Sequence, residues 1–203
     1  MSKRVYISAD YATKDGDREV IELLHIWGTD NKHKTDFVDT AQVVSGSVSN
    51  NKDCRPCDLK SEFNSQINAS SAVIFIVGDK TASRTAGSSC KRNTEGEGCP
   101  CTPYKQNTNG TSTCIIYGKT YTPAVDADLG KINNFSYIEH EFRQAVRKEK
   151  TIIVIYNSLY RQPGWLPPYM KAYEDEAYPF WKKNVYGERV GDYQYIKAAL
   201  GYE

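Results

Sequence analysis

The sequence predicts an α/β fold, in which a parallel sheet is flanked by helices. Two uninterrupted apolar runs, at residues 72–77 and 152–156, are typical of strands buried on both faces. Other segments carry apolar residues at intervals of three and four, which is the spacing of amphipathic helices. Such alternation of strands and helices predicts right-handed crossovers and helices on both faces of a parallel sheet.

The predicted elements alternate along the chain. The predicted strands lie at residues 4–8, 35–38, 72–77 and 152–156. The predicted helices lie at residues 15–27, at residues 59–69, around Glu141 and at residues 192–200. Asp58 directly precedes the second helix, so we expect it to be the N-cap. In a sheet of this kind, ligands bind beyond the carboxyl ends of the strands.

Two regions interrupt this alternation. The first, at about 87–133, is rich in Gly, Ser, Thr and Asn and contains four of the six cysteines. A structureless loop of that length is uncommon in a compact domain, so we expect an inserted subdomain or hairpin. The second region is an extension at about 157–203. Its part at residues 161–186 is dense in Pro, Tyr and Trp, and there we expect irregular chain packed by aromatics. We predict a single domain over residues 1–203 that includes both regions.

Composition and charge exclude two classes of partner. The 203 residues include 26 Lys and Arg against 25 Asp and Glu, so the net charge of +1 does not favour nucleic acid. The sequence contains no run of eighteen apolar residues, so no membrane-spanning helix is predicted. The N-terminus enters a strand almost at once and lacks the apolar stretch of a signal peptide. We therefore expect a cytoplasmic protein without structural disulfides.

Glu141 is the unusual residue of the helix that contains it. It shares the inner side of that helix with Tyr137 and Ala145, which lie one turn away in either direction. A carboxylate in this position is costly unless it has a partner or a function. The structural alternative is a carboxylate paired with Arg84 or Arg143. The neighbouring Glu139 points away from this side. His140 is predicted to lie at the surface, with a position near the substrate mouth as the alternative.

The order of these segments resembles a TIR domain, and more narrowly the bacterial branch that includes the TIR proteins of Thoeris antiphage systems. The matching pieces are Lys3-Arg4-Val5-Tyr6-Ile7-Ser8, Val77-Gly78 followed by Thr81 and Arg84, and Tyr137-Ile138-Glu139-His140-Glu141 before Lys150-Thr151-Ile152-Ile153. The resemblance covers roughly residues 3–156, except for 87–133. It implies a TIR-like, flavodoxin-like sheet with a cysteine-containing insertion and an aromatic-rich extension.

The resemblance also implies an activity. In that family a Trp-x-x-x-Glu motif supplies the glutamate that cleaves the glycosidic bond of NAD+. Here Tyr137 stands where the Trp usually is, and Glu141 falls on the glutamate. The expected activity is that of an NAD+ glycohydrolase or cyclase with no required cofactor, whose product is an ADP-ribose-derived nucleotide, cyclic or conjugated, that acts as a signal in antiphage defence.

Four further residues are predicted to bind the substrate. Ser8, Asp10 and Tyr11 follow the first strand, where ribose or phosphate-linked groups would lie. Tyr11 or Tyr137 would stack on the nicotinamide or adenine ring. We predict that all four residues line one cleft with Glu141. The alternatives are a loop-capping role for Asp10 and a strand-end hydroxyl for Ser8.

The cysteines form two groups. Cys90, Cys99, Cys101 and Cys114 lie in the insertion and are candidate ligands of a structural Zn²⁺. The gap of one residue in Cys99-Pro-Cys101 is tighter than usual, and free or redox-labile thiols are the alternative. Cys54-x-x-Cys57 has the short spacing of a metal knuckle but no paired histidine.

Two other functions fit the same sequence. One is a non-catalytic TIR-like scaffold that assembles with a partner. The other is an enzyme of the nucleoside deoxyribosyltransferase kind, which also places a carboxylate at a sugar C1′. Besides NAD+, the resemblance implies a phage-derived trigger, self-association and a downstream effector reached through the nucleotide product; we expect neither nucleic acid nor membrane as a partner.

Overall fold

In the described part of the chain, the main sheet has five strands, and all of them are parallel. The computed structural model describes residues 3–11, 16–30, 34–39, 55–84, 105–106, 112–113 and 136–202. The strands of the sheet are β1 (Lys3–Ser8), β2 (Thr35–Asp39), β3 (Ala72–Val77), β6 (Thr151–Tyr156) and β7 (Tyr178–Pro179). They are ordered β2-β1-β3-β6-β7, with every neighbouring pair parallel.

This strand order contains one reversal of direction. The chain moves outward from β1 to β2, then returns to the other side of β1 with β3 and continues to β6 and β7. Counting only the strands of this sheet, the order is 2-1-3-4-5, which is that of flavodoxin-like doubly wound sheets. The reversal places a topological switch point between β1 and β3. In sheets of this type, the crevice at that point is where ligands bind.

The described residues form four α-helices. They are α1 (Arg18–Gly28), α2 (Arg55–Ala69), α3 (Tyr137–Arg147) and α4 (Tyr193–Ala199). Helix α1 buries Val20, Ile21 and Leu24, which recur at helical spacing. Helix α2 begins at Arg55, so Asp58 lies inside the helix, and the prediction that it is the N-cap was wrong.

The two faces of the sheet have different cores. On one face, alternate residues of β1, β3 and β6 pack in one cluster with α1 and α4; it includes Val5, Ile7, Ile74, Ile76, Ile153 and Ile155. On the other face, the ring of Phe75 meets Phe142 of α3 edge to face, with centroids 5.4 Å apart. Helices therefore flank the sheet, and the predicted α/β class is confirmed.

The C-terminal extension contains more regular structure than its composition predicts. Its two-residue strand β7 pairs with β6 and completes the sheet. Strands β8 (Trp181–Lys183) and β9 (Arg189–Gly191) then form an antiparallel pair. The expectation of irregular chain at residues 161–186 was therefore wrong where β7 and β8 lie. The final helix was predicted, and the side chain of Asp192 caps it by accepting the backbone N–H of Tyr195 at 3.2 Å.

The chain divides into two compact units. The first comprises Met1–Thr40, Gln66–Ser83 and Phe142–Glu203, and the second comprises Ala41–Ser65 and Arg84–Glu141. Within the second, strands β4 (Lys105–Gln106) and β5 (Ser112–Thr113) form a short antiparallel pair inside the predicted insertion. The prediction of a single domain over residues 1–203 stays a prediction.

Among the described residues, no helix has the length and apolar character needed to cross a membrane.

Candidate functional site

A buried carboxylate lies at the switch point of the sheet, in the first unit. Asp17 directly precedes helix α1 and is only 2% exposed. Its Oδ2 atom accepts the backbone N–H of Asp10 at 3.1 Å, and its own N–H donates to the carbonyl oxygen of Asp10 at 2.8 Å. Asp17 is therefore tied to the segment that leaves the carboxyl end of β1.

The same carboxylate is bound from the end of β6. The Asn157 side-chain nitrogen Nδ2 donates to Oδ1 of Asp17 at 2.9 Å. The Asn157 oxygen Oδ1 accepts the indole N–H of Trp181 at 2.7 Å. Because an indole nitrogen only donates, Trp181 fixes the orientation of the Asn157 amide and turns its NH₂ group toward Asp17.

The end of β3 approaches this carboxylate through a glycine. A Cβ atom at position 78 would lie 3.2 Å from Oδ1 of Asp17, so the absence of a side chain leaves room for the carboxylate. The N–H of Gly78 donates to Thr81 Oγ1 at 2.8 Å, and the N–H of Asn157 donates to the carbonyl oxygen of Val77 at 2.9 Å. The ends of β1, β3 and β6 thus converge on Asp17.

Burial changes the proton affinity of this group. Loss of hydration raises the pKa of Asp17 from 3.8 to about 6, and repulsion from the carboxylates of Asp10 and Asp79 acts in the same direction. The hydrogen bonds from Asn157 and from the Asp10 backbone oppose the increase, because they favour the ionised form. Asp17 therefore changes its charge near pH 6.

A second polar atom is buried at this edge. Tyr156 ends β6 and is fully buried, and its hydroxyl has no hydrogen-bond partner among the described residues. Burial raises the pKa of Tyr156 above its usual 10.0. The hydroxyl therefore stays protonated at physiological pH.

Three of the predicted substrate-binding residues lie at the same edge of the first unit. Ser8 is the last residue of β1 and is fully buried. Asp10 and Tyr11 follow it and are half-buried, and Tyr11 packs against the core cluster. The structure thus brings Ser8, Asp10 and Tyr11 into the segment that Asp17 holds.

The other two predicted residues, Tyr137 and Glu141, lie in the first turns of helix α3, which belong to the second unit. Ser136 caps this helix, because its Oγ accepts the backbone N–H of Glu139 at 2.9 Å. Glu141 is 1% exposed, so the burial inferred from its spacing is confirmed. Val146 is 47% exposed and lies outside the buried stripe that includes Phe142 and Ala145. Whether Glu141 and Tyr137 share a cleft with Ser8, Asp10 and Tyr11 stays a prediction.

Polar and aromatic contacts hold the first turns of α3. The ring of Tyr137 meets Phe63 of helix α2 edge to face, with centroids 5.7 Å apart. His140 Nε2 lies 3.0 Å from Asn64 Oδ1. His140 is only 2% exposed, so its predicted surface position was wrong. It faces a polar partner on α2, which makes its burial tolerable.

The predicted zinc ligands lie outside the described residues. Cys90, Cys99, Cys101 and Cys114 in the insertion are not among the described residues, and neither is Cys54 in an earlier loop. Within the described ranges, no group of three or more His, Cys, Asp or Glu residues is arranged to hold a metal ion. The zinc site stays a prediction.

Asp17 is the residue that the sequence did not single out. It stands among several acidic residues at the start of a helix, where acidic residues are common for electrostatic reasons. No family model, no curated protein and no solved structure matches this chain. The assignment of a function therefore rests on the residues themselves and on the resemblance that they carry.

Proposed function

We propose that this protein is a TIR-family enzyme that cleaves the nicotinamide–ribose bond of NAD+, with Glu141 as the catalytic carboxylate. Its product would be an ADP-ribose-derived nucleotide, cyclic or conjugated, that acts as a signal in bacterial antiphage defence. Two features support this proposal: the order and spacing of the motifs in the sequence, and the flavodoxin-like order of the parallel strands.

The observation that carries the proposal is the burial of Glu141. A glutamate that is 1% exposed on an otherwise amphipathic helix is uncommon, because removing a carboxylate from water is costly. Glu139, two residues earlier on the same helix, is partly exposed, and its backbone N–H donates to the capping Ser136. The two glutamates therefore differ in burial although they share one helix and one turn.

The chemistry requires a carboxylate rather than a strong base. In NAD+ the bond between C1′ of the ribose and the nicotinamide nitrogen breaks, and its electron pair stays on that nitrogen. Nicotinamide therefore leaves as a neutral molecule, and positive charge develops on the ribose as an oxocarbenium ion. A carboxylate in a site that excludes water stabilises this charge strongly, because the local dielectric constant is low.

The product depends on what captures C1′. Attack by water, with loss of a proton, gives ADP-ribose. Attack by a nucleophilic atom of the same nucleotide gives a cyclic isomer, and attack by another molecule gives a conjugate. In each case Glu141 keeps its role, since the oxocarbenium ion forms before the capture.

The test is to incubate the full chain with NAD+ and, separately, with a deoxynucleoside, and to follow nicotinamide, free base and nucleotide products by chromatography and mass spectrometry. Because TIR enzymes commonly need assembly, each incubation is run in dilute and in concentrated protein. Release of nicotinamide from NAD+ supports the proposal. Release of base from the deoxynucleoside alone would favour the deoxyribosyltransferase alternative, and absence of both activities under all conditions would favour the scaffold.

A further inference from the structure

Asp17 holds the backbone of the segment that carries three of the predicted substrate-binding residues. The N–H and the carbonyl oxygen of Asp10 are both bonded to Asp17, at 3.1 Å and 2.8 Å. Ser8 and Tyr11 lie within two residues of Asp10 on either side. A movement of the Asp17 side chain would therefore release the N–H of Asp10 and loosen this segment.

Among the described residues, the groups around the carboxylate fix its orientation but do not neutralise its charge. Asn157 donates from the end of β6, and the Asp10 N–H donates from the end of β1; both donors are uncharged. In the described part of the chain, the charged groups that act on Asp17 are the carboxylates of Asp10 and of Asp79, which follows β3, and both repel it. An ionised Asp17 is thus stabilised by hydrogen bonds and destabilised by burial and by two like charges.

We propose that Asp17 is a positioning residue whose bound proton keeps the segment 8–11 in its closed position, so that ionisation of Asp17 loosens the substrate-binding edge of the sheet. The proposal deepens the proposed function, on which it rests for the role of Ser8, Asp10 and Tyr11. The closed position is the one described above, in which Asp10 and Asn157 both bond to the buried carboxyl group. In the open position, this carboxyl group would be hydrated.

The direction of the effect follows from the two proton affinities. In the closed position the pKa of Asp17 is about 6, and in water it would return to about 3.8. Below pH 3.8 the carboxyl group is protonated in both positions, and above pH 6 it is ionised in both. Between these values only the closed position keeps the proton, so opening becomes easier as the pH rises. A difference of about two pKa units corresponds to about a hundredfold change in the opening equilibrium.

The experiment is a nuclear magnetic resonance titration of the full chain without any nucleotide. The signals followed are the Asp17 side-chain carboxyl carbon, the backbone N–H of Asp10 and the indole N–H of Trp181. All three are expected to shift together with a midpoint near pH 6. Hydrogen exchange at Asp10, corrected for its intrinsic pH dependence, is expected to accelerate up to about a hundredfold across the same range.

Two variants test whether Asp17 is the group that titrates and whether the neighbouring charges set its pKa. Asp17→Asn removes the titrating group, so the shared midpoint near pH 6 should disappear. Asp79→Asn changes an exposed residue and removes one of the two repelling charges, so the midpoint should move to lower pH while the fold is kept. If Asp17→Asn does not fold, the Asp79→Asn shift still tests the proposal.

The experiment distinguishes a failure of this positioning role from a failure of the proposed enzymatic function. A midpoint near pH 4, or exchange at Asp10 that does not depend on the state of Asp17, overturns the positioning role whatever the enzyme does. If the titration behaves as expected and NAD+ is cleaved, KM for NAD+ should rise with pH in the unmodified protein but not in Asp17→Asn. If the titration behaves as expected and NAD+ is not cleaved, the positioning role stands and the proposed substrate is wrong.

Discussion

The side-chain amide of Asn157 donates to the buried carboxylate of Asp17 at 2.9 Å, although the two residues are 140 positions apart in the chain. The bond links the start of helix α1 to the end of β6 and spans the switch point between β1 and β3. Neither residue belongs to a motif. Their meeting depends on the sheet, because the sheet order brings three strand ends to the same place.

This bond predicts a stability effect. Asn157→Ala would leave the carboxylate of Asp17 without its side-chain donor and the indole N–H of Trp181 without its acceptor. Each buried polar group left unsatisfied costs about 1–3 kcal/mol, so the free energy of unfolding should fall by at least that amount. The pKa of Asp17 should also rise above about 6, because the lost hydrogen bond was lowering it.

Urea denaturation of both proteins measures the first effect, and the carboxyl titration measures the second. Ser158→Ala is the control, since it removes an exposed hydrogen bond at the next residue. The control should change stability by less than about 0.5 kcal/mol. Equal stability of Asn157→Ala and Ser158→Ala would show that the bond to Asp17 contributes little.

The local elements of the fold could be predicted, because their signals lie within a few residues. The stripe of Val20 and Leu24 and the apolar run of β3 depend only on neighbouring side chains. Strand β7 could not be found in this way. It has only two residues, Tyr178 and Pro179, and exists because β6 offers them a partner.

Only part of the candidate site could be predicted, because only some of its features depend on neighbouring residues in the sequence. The burial of Glu141 follows from helical spacing, but that of His140 does not, since it depends on Asn64 of helix α2. The N-cap of α3 could have been predicted from the sequence, because Ser136-x-x-Glu139 is the pattern of a capping box. The burial of Asp17 depends on contacts from distant strands, for which the sequence has no local sign.

A second prediction concerns the close contact between α1 and β2. A Cβ atom at Gly28 would lie 2.7 Å from the carbonyl oxygen of Thr35 and 3.0 Å from the ring of Phe37. Gly→Ala in a helix normally stabilises by about 0.5–1 kcal/mol, but here overpacking should reverse the sign. We expect Gly28→Ala to lower the free energy of unfolding by about 1–3 kcal/mol in urea denaturation.

Gly164→Ala is the matched control for this change, since nothing lies within 4 Å of the added Cβ atom. It should leave stability unchanged or raise it slightly, because it restricts the unfolded chain. If Gly28→Ala is as stable as Gly164→Ala, helix α1 does not pack against β2 as closely as described.

A third prediction concerns the cysteine-containing insertion. If Cys90, Cys99, Cys101 and Cys114 hold Zn²⁺, purified protein should contain close to one zinc ion per chain by elemental analysis. A chelator should then increase proteolysis within the insertion and leave the sheet folded, as judged by circular dichroism. Metal-free protein with freely titrating thiols would rule the zinc site out.

The central claim is that Glu141 stabilises the charge that develops when NAD+ is cleaved. Its most direct test is the rate of nicotinamide release by the unmodified protein, by Glu141→Gln and by Glu139→Gln, each with its thermal midpoint. We expect a loss of about 100- to 1000-fold for Glu141→Gln, with the midpoint nearly unchanged, and little loss for the control Glu139→Gln. Equal rates in all three proteins would contradict the claim, and so would a large loss of stability in Glu141→Gln, which would indicate a glutamate that balances a buried arginine.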